Sequence, residues 1–102
     1  MAKDLASVKD TVLSIVIEVG KEQENKELLS PTLSTKLFGT NLTSLGIVML
    51  VSELEQTIHN NFSIQISLAD ERAMSQSTSP FRTVDSLIKY VESLIVEKYT
   101  QD

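Results

Sequence analysis

An all-α fold is what this chain predicts: a small four-helix bundle, three helices long and one short, spread over a single domain of residues 1–102. Three observations lead there. Apolar residues recur at spacings of three and four in three separate stretches, which is the period of one helix face. Segments rich in Ser, Thr, Asn and Pro separate those stretches and read as loops. The one alternating run, Phe62-Ser63-Ile64-Gln65-Ile66, would be a strand without a partner, so it is expected as an extended connector with Ile64 or Ile66 in the core. No helix here can bury its stripe alone, so the helices must pack on one another.

The first helix is expected from about Lys3 into the low twenties, with Leu5, Val8, Val12, Ile15, Val16 and Val19 as its apolar stripe and Leu13 and Ile17 widening it. Gly20 is a stop signal, but the good helix formers from Lys21 to Leu29 leave its end open. Ser30-Pro31-Thr32 starts a loop in which Leu33, Leu37, Phe38 and Leu42 need cover and Gly39-Thr40-Asn41 makes a turn. The second long helix should begin at Thr43-Ser44 and end near Asn60-Asn61. Val48, Val51, Leu54 and Ile58 mark its inward face, with Leu50 beside them, and Glu53 faces out. Leu68 to Met74 suits a short third helix. The last helix opens at Thr83, an N-cap residue, with Asp85 in its first turn, where a carboxylate suits the helix dipole. Val84, Leu87, Ile88, Val91, Leu94 and Ile95 form its buried stripe, and the tail after Tyr99 is expected to fray.

With three Phe, two Tyr and no Trp, the core falls to Leu, Ile and Val. A net charge of −5 and the lack of a basic stripe argue against nucleic-acid binding. The charge suits partners with basic docking patches, and suits equally a mildly acidic protein with none. The absence of Cys removes disulfides, thiolate metal sites and a cysteine nucleophile. The most apolar early stretch, Val12 to Val19, is broken by Ser14 and Glu18 and is too short to span a membrane, and no small-residue cleavage site follows it. A soluble, cytoplasmic monomer is expected.

One segment carries chemistry. Leu37-Phe38-Gly39-Thr40-Asn41-Leu42-Thr43-Ser44-Leu45-Gly46-Ile47-Val48-Met49-Leu50-Val51-Ser52-Glu53-Leu54-Glu55 resembles the acyl carrier protein family. In that family a Gly-containing loop leads to Asp-Ser-Leu and an amphipathic helix of the form Val-x-Leu-Val-x-x-Leu-Glu. Val48, Leu50, Val51, Leu54 and Glu55 fit the frame with Ser44 at its head, and the order of helices along nearly the whole chain fits as well. The resemblance implies that a phosphopantetheinyl transferase attaches 4′-phosphopantetheine from coenzyme A to Ser44. It also implies that the thiol of that arm holds acyl groups as thioesters for acyl-transferring or acyl-modifying enzymes of a fatty-acid, polyketide or specialised lipid pathway. A helix N-terminus, with its free N–H groups and positive dipole end, is a suitable seat for a phosphodiester.

Ser44 is not expected to be a catalytic serine. The single His, His59, lies about four turns along the same helix, roughly 22 Å away at ~1.5 Å per residue, and has no companion ligands for zinc. No paired carboxylate or base–nucleophile pair can be placed, so the chain is not expected to be an enzyme. The literal string Asp85-Ser86-Leu87 is a decoy: one helix alone can follow Ser86, whereas the family's serine helix is followed by two.

The candidate recognition residues are Thr43, Leu45, Gly46 and Met49, and at Thr43, Gly46 and Met49 the sequence departs from the family. Thr43 stands where the family has Asp. It can cap the helix but lacks the charge that transferases commonly recognise. Gly46 reads either as a close approach by the arm or a partner or as drift. Met49 is expected to face outward beside Leu45 or Ile47, as part of an adaptable apolar patch. The 69–82 stretch is longer than in a minimal carrier. It reads as a gate beside the arm or as a surface loop anchored by Phe81. The alternative to a carrier is a carrier-like helical bundle that binds partners without being modified.

Overall fold

The computed structural model of the protein describes residues 5–38, 40–66, 68 and 81–100. Three α-helices make up most of these: α1 (Leu5–Glu22), α2 (Ser44–Phe62) and α3 (Val84–Thr100), with a 3-10 turn at Lys26–Leu28 after α1. Among the described residues there is no strand, and two isolated bridges, Lys36 with Thr83 and Phe38 with Leu42, are the β-like pairings. The all-α reading therefore holds. The short helix expected from Leu68 to Met74 lies, Leu68 apart, outside the described residues, as does the tail beyond Thr100.

The stripe of α1 is buried as its spacing requires: Val8, Val12, Ile15, Val16 and Val19 are in the core, and Leu13 packs against it. Gly20 does not end the helix. The stop comes from a backbone motif in which Asn25 N–H donates to the Gly20 carbonyl at 2.9 Å and Glu24 N–H to that of Lys21 at 3.2 Å. Glu24 takes the left-handed conformation (φ 54°) at the position where glycine is usual. The turn returns the fully buried Leu28 onto the helix end, which explains the glycine. A Cβ on Gly20 would stand 2.6 Å from Leu28 Cβ and 3.1 Å from its carbonyl carbon, and the backbone atom cannot swing aside. Overpacking of about 1–3 kcal/mol should outweigh the ~1 kcal/mol that Ala gains over Gly in a helix. Gly20→Ala is thus expected to lower stability in urea unfolding, and a more stable variant would show that the turn yields.

In α2 the buried line is Ile47, Leu50, Val51, Leu54, Ile58 and Phe62. This corrects the expected phase at one point: Val48, expected inward, is 50% exposed, and Ile47, expected beside outward Met49, is fully buried. Ile47, Val51, Leu54 and Ile58 follow a four-three-four spacing, which keeps one face inward, and Val48 lies a further 100° round. The helix runs two residues past Asn60 and stops at Ser63, which is left-handed (φ 56°) and donates its N–H to the His59 carbonyl. Beyond it Ile64, Ile66 and Leu68 all enter the core. Glu55 Oε2 accepts the Leu68 N–H at 2.7 Å.

At the start of α3, Thr83 Oγ1 accepts from Ser86 N–H and Ser86 Oγ accepts from Thr83 N–H, each at 3.1 Å, a reciprocal cap. Asp85 follows in the first turn and pairs with exposed Lys89 at 3.0 Å. Val84, Leu87, Ile88, Val91 and Ile95 are buried, and Leu94 packs at the core edge. Phe81 is fully buried and meets Tyr90 edge-on, with ring centroids 6.2 Å apart. α1 packs against both α2 and α3, so it is the element on which the other two are assembled. The radius of gyration, 12.9 Å, is that of a chain of this length folded on one core. Among the described residues no helix is long and apolar enough to cross a membrane.

Candidate functional site

The loop ahead of α2 is built around buried Leu37. Its carbonyl accepts the N–H groups of Thr40, Asn41 and Leu42 at 3.2, 2.9 and 2.9 Å, which closes the expected turn. The Leu37 and Phe38 N–H groups donate to the Arg82 and Phe81 carbonyls at 2.8 and 2.9 Å. In return Val84 and Asp85 N–H donate to the Thr35 and Leu33 carbonyls at 3.0 and 2.9 Å. This backbone seam fixes residue 33 by its carbonyl while its side chain stays out: Leu33, expected to be covered, is 44% exposed.

Thr43 ends the loop in extended conformation and caps α2. Its Oγ1 accepts from Gly46 N–H at 3.3 Å, and its carbonyl accepts from Ile47 N–H at 2.9 Å. Ser44 is the first helical residue. Among the described residues none accepts from the N–H of Ser44 or Leu45, whereas the three matching groups of α3 are taken by Thr35, Leu33 and Thr83. Among the described residues, the start of α2 has donors to spare and the start of α3 has none. The first turn of α2 also holds no acidic residue.

Leu45 (70% exposed) and Val48 (50%) stand outward on the first two turns. Half-buried Met49 adjoins them, its sulfur accepting from Gln23 Nε2 at 3.3 Å. Gly46 is buried, and a Cβ there would meet Leu42 Cδ2 at 2.9 Å, so its close neighbour in the fold is Leu42. The predicted residues Thr43, Ser44, Leu45, Gly46 and Met49 thus share the first two turns of α2. Missing from the expected set was Val48, which the four-three-four spacing from Ile47 would have placed outside.

No family model, curated protein or solved structure matches this chain.

Ser86 sits inside the cap of α3, where its Oγ also donates to the Thr83 carbonyl at 3.0 Å. His59 is exposed near the far end of α2. With Ser52, Glu55, Gln56, Gln65 and Ile66 it borders an open, polar cleft of about 370 Å³. Among the described residues no group of three or more His, Cys, Asp or Glu could hold a metal ion.

Proposed function

We propose that this protein is an acyl carrier protein in which Ser44 carries 4′-phosphopantetheine. The observation that carries the reading is the contrast between the two helix starts. The serine that heads the motif begins the helix whose first N–H groups have no acceptor among the described residues, and the serine of the literal Asp-Ser-Leu string lies within a closed cap. A phosphodiester at Ser44 would meet two N–H groups that have no acceptor among the described residues and the positive end of a nineteen-residue helix, with no carboxylate in the first turn to repel it. The arm supplies the thiol that a chain without Cys lacks, and on it acyl groups are held as thioesters. The protein's own part is recognition. Leu45, Val48 and Met49 present apolar surface beside Ser44 to the transferase and to acyl-transferring or acyl-modifying enzymes.

The proposal includes a short fourth helix from Leu68, which would complete a four-helix carrier bundle, and a cytoplasmic monomer serving a fatty-acid, polyketide or specialised lipid pathway. Incubation with coenzyme A, magnesium and a broad-specificity phosphopantetheinyl transferase, read by intact mass, tests it: the chain should gain one phosphopantetheine. A second reading is favoured by Thr43 in place of the family's Asp and by the exposed Leu45 and Val48. It is a carrier-like bundle that binds partners unmodified, and an unchanged mass with every transferase would select it.

A further inference from the structure

We infer that Asn25 is a positioning residue for Ser44: it ties the end of α1 to the loop that presents the serine. The inference rests on the carrier reading and concerns a residue outside the motif. Asn25 uses both halves of its amide. Its Oδ1 accepts from Glu27 N–H at 2.9 Å and caps the 3-10 turn, while its Nδ2 donates to the Asn41 carbonyl at 2.9 Å. The first job can be done by Ser, Thr or Asp as well; among the good caps Asn alone also brings an amide donor.

The residue is firmly based at its own end. Its N–H donates to the Gly20 carbonyl at 2.9 Å, its carbonyl accepts from Leu28 N–H at 3.2 Å, and Leu28 is fully buried against α1. At the other end Asn41 stands two residues before the cap Thr43, and its own Nδ2 donates to the Lys36 carbonyl at 2.7 Å. The two asparagines in series run from the end of α1 through Asn41 to the Lys36 carbonyl, so they brace the loop two residues ahead of the residue that sets the first turn of α2. Freeing the Asn41 carbonyl cuts the tie between this loop and the end of α1 and leaves Thr40 to Thr43 held by bonds within the loop, to the Leu37 and Lys36 carbonyls, and by the cap of α2 itself; Ser44 follows Thr43 directly.

Two variants separate this role from plain stabilisation. Asn25→Ser keeps a neutral cap acceptor and removes the reaching donor; Asn25→Asp keeps the acceptor, removes the donor and adds charge. Initial loading rates with coenzyme A and transferase are measured well below the melting temperature, where each variant is fully folded, together with amide hydrogen exchange. For both variants kcat for loading should fall about three- to tenfold, the population change that one such hydrogen bond controls. For Asn25→Ser, KM should stay near the wild-type value, because the surface of Leu45 and Val48 is intact. Exchange at Thr40, Asn41 and Leu42 should quicken several-fold while Leu50 and Leu54 stay protected. Wild-type loading kinetics in both variants, or unchanged exchange at residues 40–42, would overturn the inference and leave the carrier reading standing. A lowered melting temperature with normal loading would do the same. If Asn25→Asp does not fold, Asn25→Ser alone decides. A wild-type chain that takes no arm overturns the carrier reading and this inference together.

Discussion

Ser44→Ala is expected to abolish phosphopantetheine loading outright while leaving the helical fold intact. Ser44 contributes to α2 as its first helical residue, a place Ala fills well, and the cap that starts the helix belongs to Thr43. Stability should therefore stay within about 0.5 kcal/mol of the wild type, as for most substitutions outside special features. Ser86→Ala is the counterpart. It deletes the oxygen that accepts from Thr83 N–H and donates to the Thr83 carbonyl, so it should cost about 1 kcal/mol as lost caps do. Its loading should be complete. Intact mass and thermal unfolding on the two variants together read a double dissociation. Loading that survives in Ser44→Ala, or disappears in Ser86→Ala, would place the arm elsewhere.

The largest effect on stability is expected at Leu54. It is fully buried in the middle of α2, on the face that holds Ile47, Val51 and Ile58. Truncation to Ala removes its transfer free energy and leaves a cavity, and the usual cost is about 2–5 kcal/mol. A domain of this size has about 5–15 kcal/mol in all, so Leu54→Ala should melt far lower or unfold at moderate temperature. Glu53, one residue earlier and exposed, should give an Ala variant within about 0.5 kcal/mol of wild type. Denaturant midpoints of the pair check the phase of α2 directly, since comparable losses would mean that the helix is turned.

How much of this was legible in the sequence varies by element. α1 and α3 carry apolar positions at clean helical spacing: Val8, Val12, Ile15, Val16 and Val19 of the first stripe and Val84, Leu87, Ile88, Val91 and Ile95 of the second are buried, with Leu94 at the core edge. Thr83 and Thr43 cap their helices as their residue type suggests. The first turns of α2 were harder because Ile47 to Val51 is an unbroken apolar run, in which any starting point yields a plausible stripe. The choice is made by tertiary packing, with Ile47 buried and Leu42 lying over Gly46. The end of α1 was illegible for a related reason. Helix formers continue past Glu22, and the chain turns because Leu28 docks on Gly20 and Glu24 accepts a left-handed conformation. The seam that leaves Leu33 exposed is made of backbone groups, which every sequence has. The candidate site was read at Ser44 and Thr43 from residue type and position, while Gln23 and Asn25 entered it through contacts that spacing does not encode.

That seam also fixes when the site can be ready. Chains are made from the N-terminus, so α1, the loop and α2 leave the ribosome before residues 81–85 do. Until those residues follow, the Leu33 and Thr35 carbonyls and the Leu37 and Phe38 N–H groups lack the four partners they have in the finished fold. Backbone groups without partners keep to water, and the stretch leading to Thr43 stays loose on the nascent chain. On the carrier reading, a chain truncated ahead of residue 81 is therefore expected to take the arm more slowly than the whole chain, because the loop before Thr43 lacks its seam.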